Sequence, residues 1–155
     1  MNKLDYIDQQ ILKILQVNGR ITNKDLALKL GLSPPPTLER VKKLEQQGYI
    51  KGYAAIVDPK MINLGSTMLV SISLHQHQFD AINEFRQAVL SFDEVMDCYH
   101  VTGGDDFLLK VACKNIEEFE KFVIEKLSML RNMGKIKTSV VLSTLKNSTA
   151  YPIHR

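Results

Sequence analysis

The stretch "NGRITNKDLALKLGLSPPPTLERVKKLEQQGYIKGY", residues 18–53, decides the fold of the first part of this chain. Leu26, Ala27 and Leu30 recur at helical spacing after Thr22, whose hydroxyl suits an N-cap, so a short helix is predicted over 23–30, ending at Gly31. Ser33 is the next candidate cap. Prolines in the first turn lose no intrahelical hydrogen bond, because the N–H groups there have no partner. Each proline of Pro34-Pro35-Pro36 also disfavours helical angles in the residue before it, so the expectation is an irregular first turn and regular helix from Pro36 or Thr37. Leu38, Val41, Leu44 and Glu45 would share one side of that helix, with Glu39, Arg40, Lys43, Gln46 and Gln47 on the other; Gly48 ends it.

Upstream, Ile7, Ile11, Ile14 and Leu15 form an apolar stripe over 5–17, with Asp5 as cap and Asn18-Gly19 as stop. Downstream, Ile50 and Tyr53 to Val57 read as a strand closed by Asp58-Pro59. Three short helices and a strand, with a tight glycine turn at Gly31-Leu32, give a winged-type helix-turn-helix over 1–58, its motif at 23–42.

Residues 59–65 read as a linker, and 66–155 have a different rhythm. Strands are expected at 67–76, 95–103, 106–114 and 136–146, and helices at 79–90 and 116–130. Gly103-Gly104-Asp105 marks a hairpin between the middle strands. The order βαββαβ is the ferredoxin-like α/β sandwich, so the whole chain is α+β. Phe107 to Val111 is apolar on both faces, which implies a second surface over the open face of the sheet, most simply another copy.

The chain has 155 residues, 45% hydrophobic and 24% charged, within the soluble globular range. No apolar run approaches the ~18 residues of a membrane span, and MNKLDYIDQQ does not read as a signal peptide, so a cytoplasmic protein without a membrane partner is expected. Residues 1–64 hold 10 Lys/Arg against 6 Asp/Glu, while 65–155 hold 10 against 11. The excess of positive charge lies in the helical part and suits a polyanion there. Cys98 and Cys113 are expected to be buried small hydrophobes. His75, His77, His100 and His154 lack metal-ligand spacing, and no nucleophile elbow or phosphate-binding glycine loop is present, so neither a metal nor a cofactor is expected.

Leu-Asp-x-x-Asp at 4–8, the block NGRITNKDLALKLGLSP, LERVKKLEQQGYIKGY and TGGDDFLLK together resemble the Lrp/AsnC (feast/famine) regulators over nearly the whole chain. The resemblance implies a transcriptional regulator that binds double-stranded DNA through residues 34–47. It also implies dimers and higher rings, often octamers, built by the ferredoxin-like domain, and an amino-acid effector, leucine or another apolar one, held between subunits.

On this resemblance Ser33, Pro34, Pro36, Thr37, Glu39, Arg40, Lys42 and Lys43 are the candidate DNA-binding residues. Arg and Lys can grip guanine or phosphate, and Glu39 can accept from a base amine such as cytosine N4. As a plain solvated face, the same helix would carry a Glu39–Lys43 ion pair. Thr102, Gly103, Gly104, Asp105 and Asp106 are the candidate effector site, a carboxylate for the ammonium and glycine-exposed N–H groups for the carboxylate, with Ser139, Val140 and Val141 of a neighbouring copy as the other wall. An ordinary hairpin turn has the same sequence. Two alternatives stay open: an enzyme resembling the sirohaem decarboxylases, which share the architecture, and an assembly partner that does not bind DNA.

Overall fold

The computed structural model describes residues 4–76 and 79–153; His77 and His154 lie outside them. The chain divides into two compact units. One runs up to Ile56 and takes in the residues from Leu145 onward; the other is Val57–Thr144.

The first unit contains α1 (Tyr6–Val17), α2 (Asn23–Leu30) and α3 (Pro34–Gln46). Asp5 caps α1 by accepting from the Asp8 N–H at 2.8 Å, and Thr22 caps α2 by accepting from Asp25 N–H at 3.1 Å. Gly31 closes α2 at φ 68, the left-handed region where a side chain is strained, and turns the chain into α3. Ile11, Leu12, Leu26 and Leu44 form the core, with Val41, Tyr49, Ile50 and Ile153 packed against it.

Three expectations change here. Helix α3 starts at Pro34: Ser33, at ψ 156, is extended as a residue before proline should be, whereas Pro34 and Pro35, each also before a proline, are helical all the same. The inner stripe is Thr37, Val41 and Leu44; Leu38, about 100° further round the helix, is 42% exposed. The strand expected over Tyr53 to Val57 is exposed, and among the described residues it pairs with no other strand.

The second unit is a four-stranded antiparallel sheet in the order β2-β3-β1-β4, from β1 (Ser66–Leu74), β2 (Val95–His100), β3 (Phe107–Cys113) and β4 (Met133–Val140). Helices α4 (Phe79–Leu90) and α5 (Ile116–Glu125) give the βαββαβ order, so the ferredoxin-like expectation holds. Alternation sends Met68, Val70, Ile72 and Leu74 of β1, and Phe107, Leu109, Val111 and Cys113 of β3, to one face. Phe85 and Val89 of α4 and Phe119 and Phe122 of α5 cover that face, with Phe85 and Phe107 ring centroids 4.4 Å apart. The opposite face carries Leu69, Tyr99, Leu108 and the Asp97–Lys110 ion pair at 3.6 Å. It is more polar than a continuously apolar β3 suggests.

Strand β4 stops at Val140, short of the expected 146, because β1 has run out of partners: the Val141 N–H bonds to Thr67 O, next to the first residue of β1. The residues from Leu145 onward were expected in the second domain and pack with the first unit instead. Gln16 and Tyr151 exchange two hydrogen bonds, of 3.2 and 2.7 Å, and Ile153 joins the helical core. Cys113 is buried, but Cys98 is exposed on the edge strand β2, against expectation.

Candidate DNA interface and effector site

Helix α3 begins without donors. Pro34, Pro35 and Pro36 occupy its first three positions, so the N–H groups that an N-cap oxygen normally takes are absent. The Ser33 hydroxyl therefore makes no capping bond, and it is exposed. Pro34 and Pro36 are exposed beside it.

Thr37, expected against DNA, is fully buried, and its hydroxyl donates to Ser33 O at 3.0 Å. It holds the first turn from inside and is removed from the candidate interface. Glu39, Lys42 and Lys43 are exposed on the outer side. The expected Glu39–Lys43 pair does not form; among the described residues Glu39 has no ion-pair partner. Asp5, Pro36, Glu39, Arg40 and Lys43 line an open groove of about 300 Å³.

Arg40 faces inward, toward α1. Its Nη1 lies 2.6 Å from Asp5 Oδ2 and 2.7 Å from Asp8 Oδ1. The Asp8 N–H holds the Asp5 carboxyl below its ordinary value; burial opposes it, and the Arg40 guanidinium adds to the lowering. The hydrogen bonds to Asp5 and Asp8 push Arg40 up. Reading α3 alone missed this; the signal lay in the Leu-Asp-x-x-Asp spacing of α1, which puts Asp5 at the cap and Asp8 one turn later.

In the second unit, residues 101–106 join β2 to β3. Thr102, Gly103 and Gly104 are exposed, and Gly103 sits at φ 128. The Asp106 N–H donates to Ile72 O at 2.8 Å, and Asp106 Oδ2 accepts from the Leu74 N–H at 2.7 Å. The register of β1 against β4 shifts between Ile72 and Leu74, so Asp106 supplies an acceptor where the ladder is irregular. The Lys137 ammonium lies 2.8 Å from both carboxylate oxygens of Asp105. Only Oδ2 is placed to accept a hydrogen bond, and Oδ1 is buried without one.

Ser139, Val140 and Val141 lie at the far end of β1 from this loop. Ser139 pairs with Leu69 and Val140 with Met68, whereas the loop meets Ile72 and Leu74. Four residues of strand, about 13 Å, separate the two groups. One chain does not bring them together. Among the described residues no cluster of His, Cys, Asp or Glu could hold a metal ion, and no helix is long and apolar enough to cross a membrane. Cys113 is kept as a thiol by burial and by the nearby charges of Glu94 and Glu118.

Comparison with known proteins bears on both sites. A winged helix-turn-helix DNA-binding family matches residues 4–51, and the Lrp/AsnC ligand binding domain matches residues 67–151. The chain belongs to the Lrp/AsnC family. A leucine-responsive regulatory protein of Haemophilus influenzae is 39% identical over 145 residues, covering 94% of this chain and 87% of the relative. A transcriptional regulator of Neisseria meningitidis, solved as a complex with L-methionine, is 35% identical with TM-score 0.93 over 97% of each chain. A feast or famine regulatory protein from M. tuberculosis, also complexed with L-methionine, is 25% identical with TM-score 0.84, covering 96% of this chain and 99% of its own. Like these Lrp/AsnC regulators, the chain is a DNA-binding transcriptional regulator and not an enzyme, which sets the sirohaem alternative aside. The helix-turn-helix match spans α1, α2 and α3, and the ligand-binding match spans the whole sheet with α4 and α5.

Proposed function

We propose that this regulator reads double-stranded DNA with the outer face of α3 and that an apolar amino acid, leucine or methionine, modulates the reading from the ligand-binding domain. The observation that carries the DNA side is the composition of that face: Ser33, Leu38, Glu39, Lys42 and Lys43 are all exposed on one short helix. The two lysines neutralise phosphate or reach guanine, Leu38 suits a thymine methyl, and the unpaired Glu39 selects a base amine such as cytosine N4. The Ser33 hydroxyl, left free by the prolines, donates to a phosphate oxygen. A cytoplasmic location agrees with this reading.

The effector reading is supported by the loop chemistry and by the L-methionine complexes of two relatives. The exposed glycine backbone of Gly103 and Gly104 suits a carboxylate, and Asp106 suits an ammonium. Asp105 is matched by Lys137 and has a lesser part. Ser139, Val140 and Val141 reach such a ligand only from a second copy. A homo-oligomer, a dimer building toward an octamer, agrees with the unpaired segment around Ile56, which is 83% exposed, and with Val57, which is 56% exposed.

The experiment is a fluorescence-anisotropy titration onto the duplex upstream of the protein's own gene and onto a scrambled duplex, at two salt concentrations, with leucine, methionine or neither. Preference for the upstream duplex, steep weakening by salt and a shift with either amino acid are expected. Equal binding to both duplexes removes sequence reading. An absence of response to both amino acids removes the effector assignment and leaves DNA binding in place.

A further inference from the structure

We infer that Arg40, although it lies on the DNA-reading helix, is a positioning residue that sets the angle of α3 against α1. The inference rests on the DNA-reading role of α3 proposed above. A base-reading arginine needs its planar fork free to present two N–H groups to a guanine edge. Here one terminal nitrogen is bound at 2.6 Å to Asp5 and at 2.7 Å to Asp8. Asp8 is nearly buried, at 8% exposure, so releasing Arg40 to DNA would take the cation away from a carboxylate with little access to water. Asp5 is also the cap of α1, which makes the arginine a strut between the start of one helix and the second turn of the other. The lysines alongside have no such tie and remain the cations that meet DNA.

The sign of an electrostatic change separates the two roles. If Arg40 only added positive charge for DNA, replacing Asp8 by asparagine would raise net charge and strengthen binding. If Arg40 positions α3, Asp8→Asn weakens binding despite the added charge. The test measures the affinity of the full chain and of Asp5→Asn, Asp8→Asn, Arg40→Gln, Arg40→Lys and the Asp8→Asn/Arg40→Gln pair for the upstream and scrambled duplexes. Asp5→Asn keeps a good N-cap and so protects the test against simple unfolding, and far-ultraviolet circular dichroism confirms the fold of each variant.

Asp8→Asn and Arg40→Gln are expected to weaken binding to both duplexes by a common factor on the order of tenfold. The double variant should be no worse than either single, the ratio of affinities for the two duplexes unchanged, and the salt slope that of the parent. Arg40→Lys, which keeps the charge and one of the two contacts, should recover part of the loss. Stronger binding by Asp8→Asn overturns the inference. So does a salt slope lowered by about 0.9 in Arg40→Gln alone, or a preference between duplexes lost in Arg40→Gln and kept in Asp8→Asn. A parent protein that binds neither duplex at low salt overturns the proposed function, and this inference with it.

Discussion

On the proposed function Asp106 serves both stability and ligand binding, and two substitutions pull them apart. Its Oδ2 accepts from the Leu74 N–H at 2.7 Å in a partly buried position where β1 and β4 lose register. Asp106→Ala removes that acceptor and leaves a partly buried N–H unsatisfied. A hydrogen bond to a charged group contributes about 1.5–3 kcal/mol, and partial exposure places the expected loss near the lower end, about 2 kcal/mol. With a urea dependence of about 2 kcal/mol per molar for a unit of this size, the unfolding midpoint should fall by about 1 M. Asp106→Asn keeps an acceptor oxygen at the same reach and should recover more than half of that loss. Binding of methionine or leucine, followed by isothermal calorimetry on the folded protein, should not recover, because the amide has no charge to offer an ammonium. Urea unfolding monitored by far-ultraviolet circular dichroism gives the first quantity. An Asp106→Ala midpoint within about 0.2 M of the parent, about a fifth of the expected shift, would refute the structural role of the bond. Asparagine that binds the amino acid as well as aspartate would refute the ammonium contact.

Pro36→Ala restores an N–H at the third position of α3, which Ser33 can then cap. The gain of about 1 kcal/mol is offset by the looser unfolded chain, so the melting temperature should barely move while DNA affinity falls as the hydroxyl is drawn into the cap; equal losses in both would contradict this. Gly134→Ala puts a methyl 2.6 Å from Ser73 O, backbone that cannot give way cheaply, and should cost about 1–3 kcal/mol in thermal unfolding. An unchanged melting temperature would show that β4 moves aside. Burial is the largest influence on the Glu94 carboxyl and pushes it up, but the Lys126 hydrogen bond at 2.7 Å, a backbone hydrogen bond and the Lys126 charge together leave it below its ordinary value. A carboxyl lowered in the fold adds stability that is complete above its unfolded value, near 4.3, and is lost as pH falls through the folded one. Glu94→Gln should therefore lower stability at neutral pH and flatten its decline below about pH 4; an unchanged acid limb in the pH series of unfolding would exclude the pair as a contributor.

What the sequence made legible was local chemistry. Asp5, Thr22 and Gly31 announce helix ends by interactions that span three or four residues, and all three act as read. The strands of the second unit were legible as strands, but β3 read as apolar on both faces, and only the fold shows that Phe107, Leu109 and Val111 form the buried side. What stayed hidden depended on partners remote in the chain. Thr37 looked polar and available, but the packing of α3 turned it inward and Leu38 outward. Arg40 looked like one more cation until Asp5 and Asp8 lay beside it. The carboxylate of Asp106 was legible as a charge, whereas its bond to the irregular stretch of β1 was not. The strand expected around Ile56 has the right side chains for pairing, yet among the described residues it is paired with none.

The hydrogen bonds between Gln16 and Tyr151 span 135 positions of sequence. Translation at about 5–20 residues per second puts on the order of ten seconds between the synthesis of the two residues. Helices α1, α2 and α3 are thus made early, yet the residue that completes their core, Ile153, arrives after the entire second unit. The helix-turn-helix region of this regulator is finished only once the ligand-binding domain has been synthesised, so a nascent chain halted before that point carries its three helices on an incomplete core.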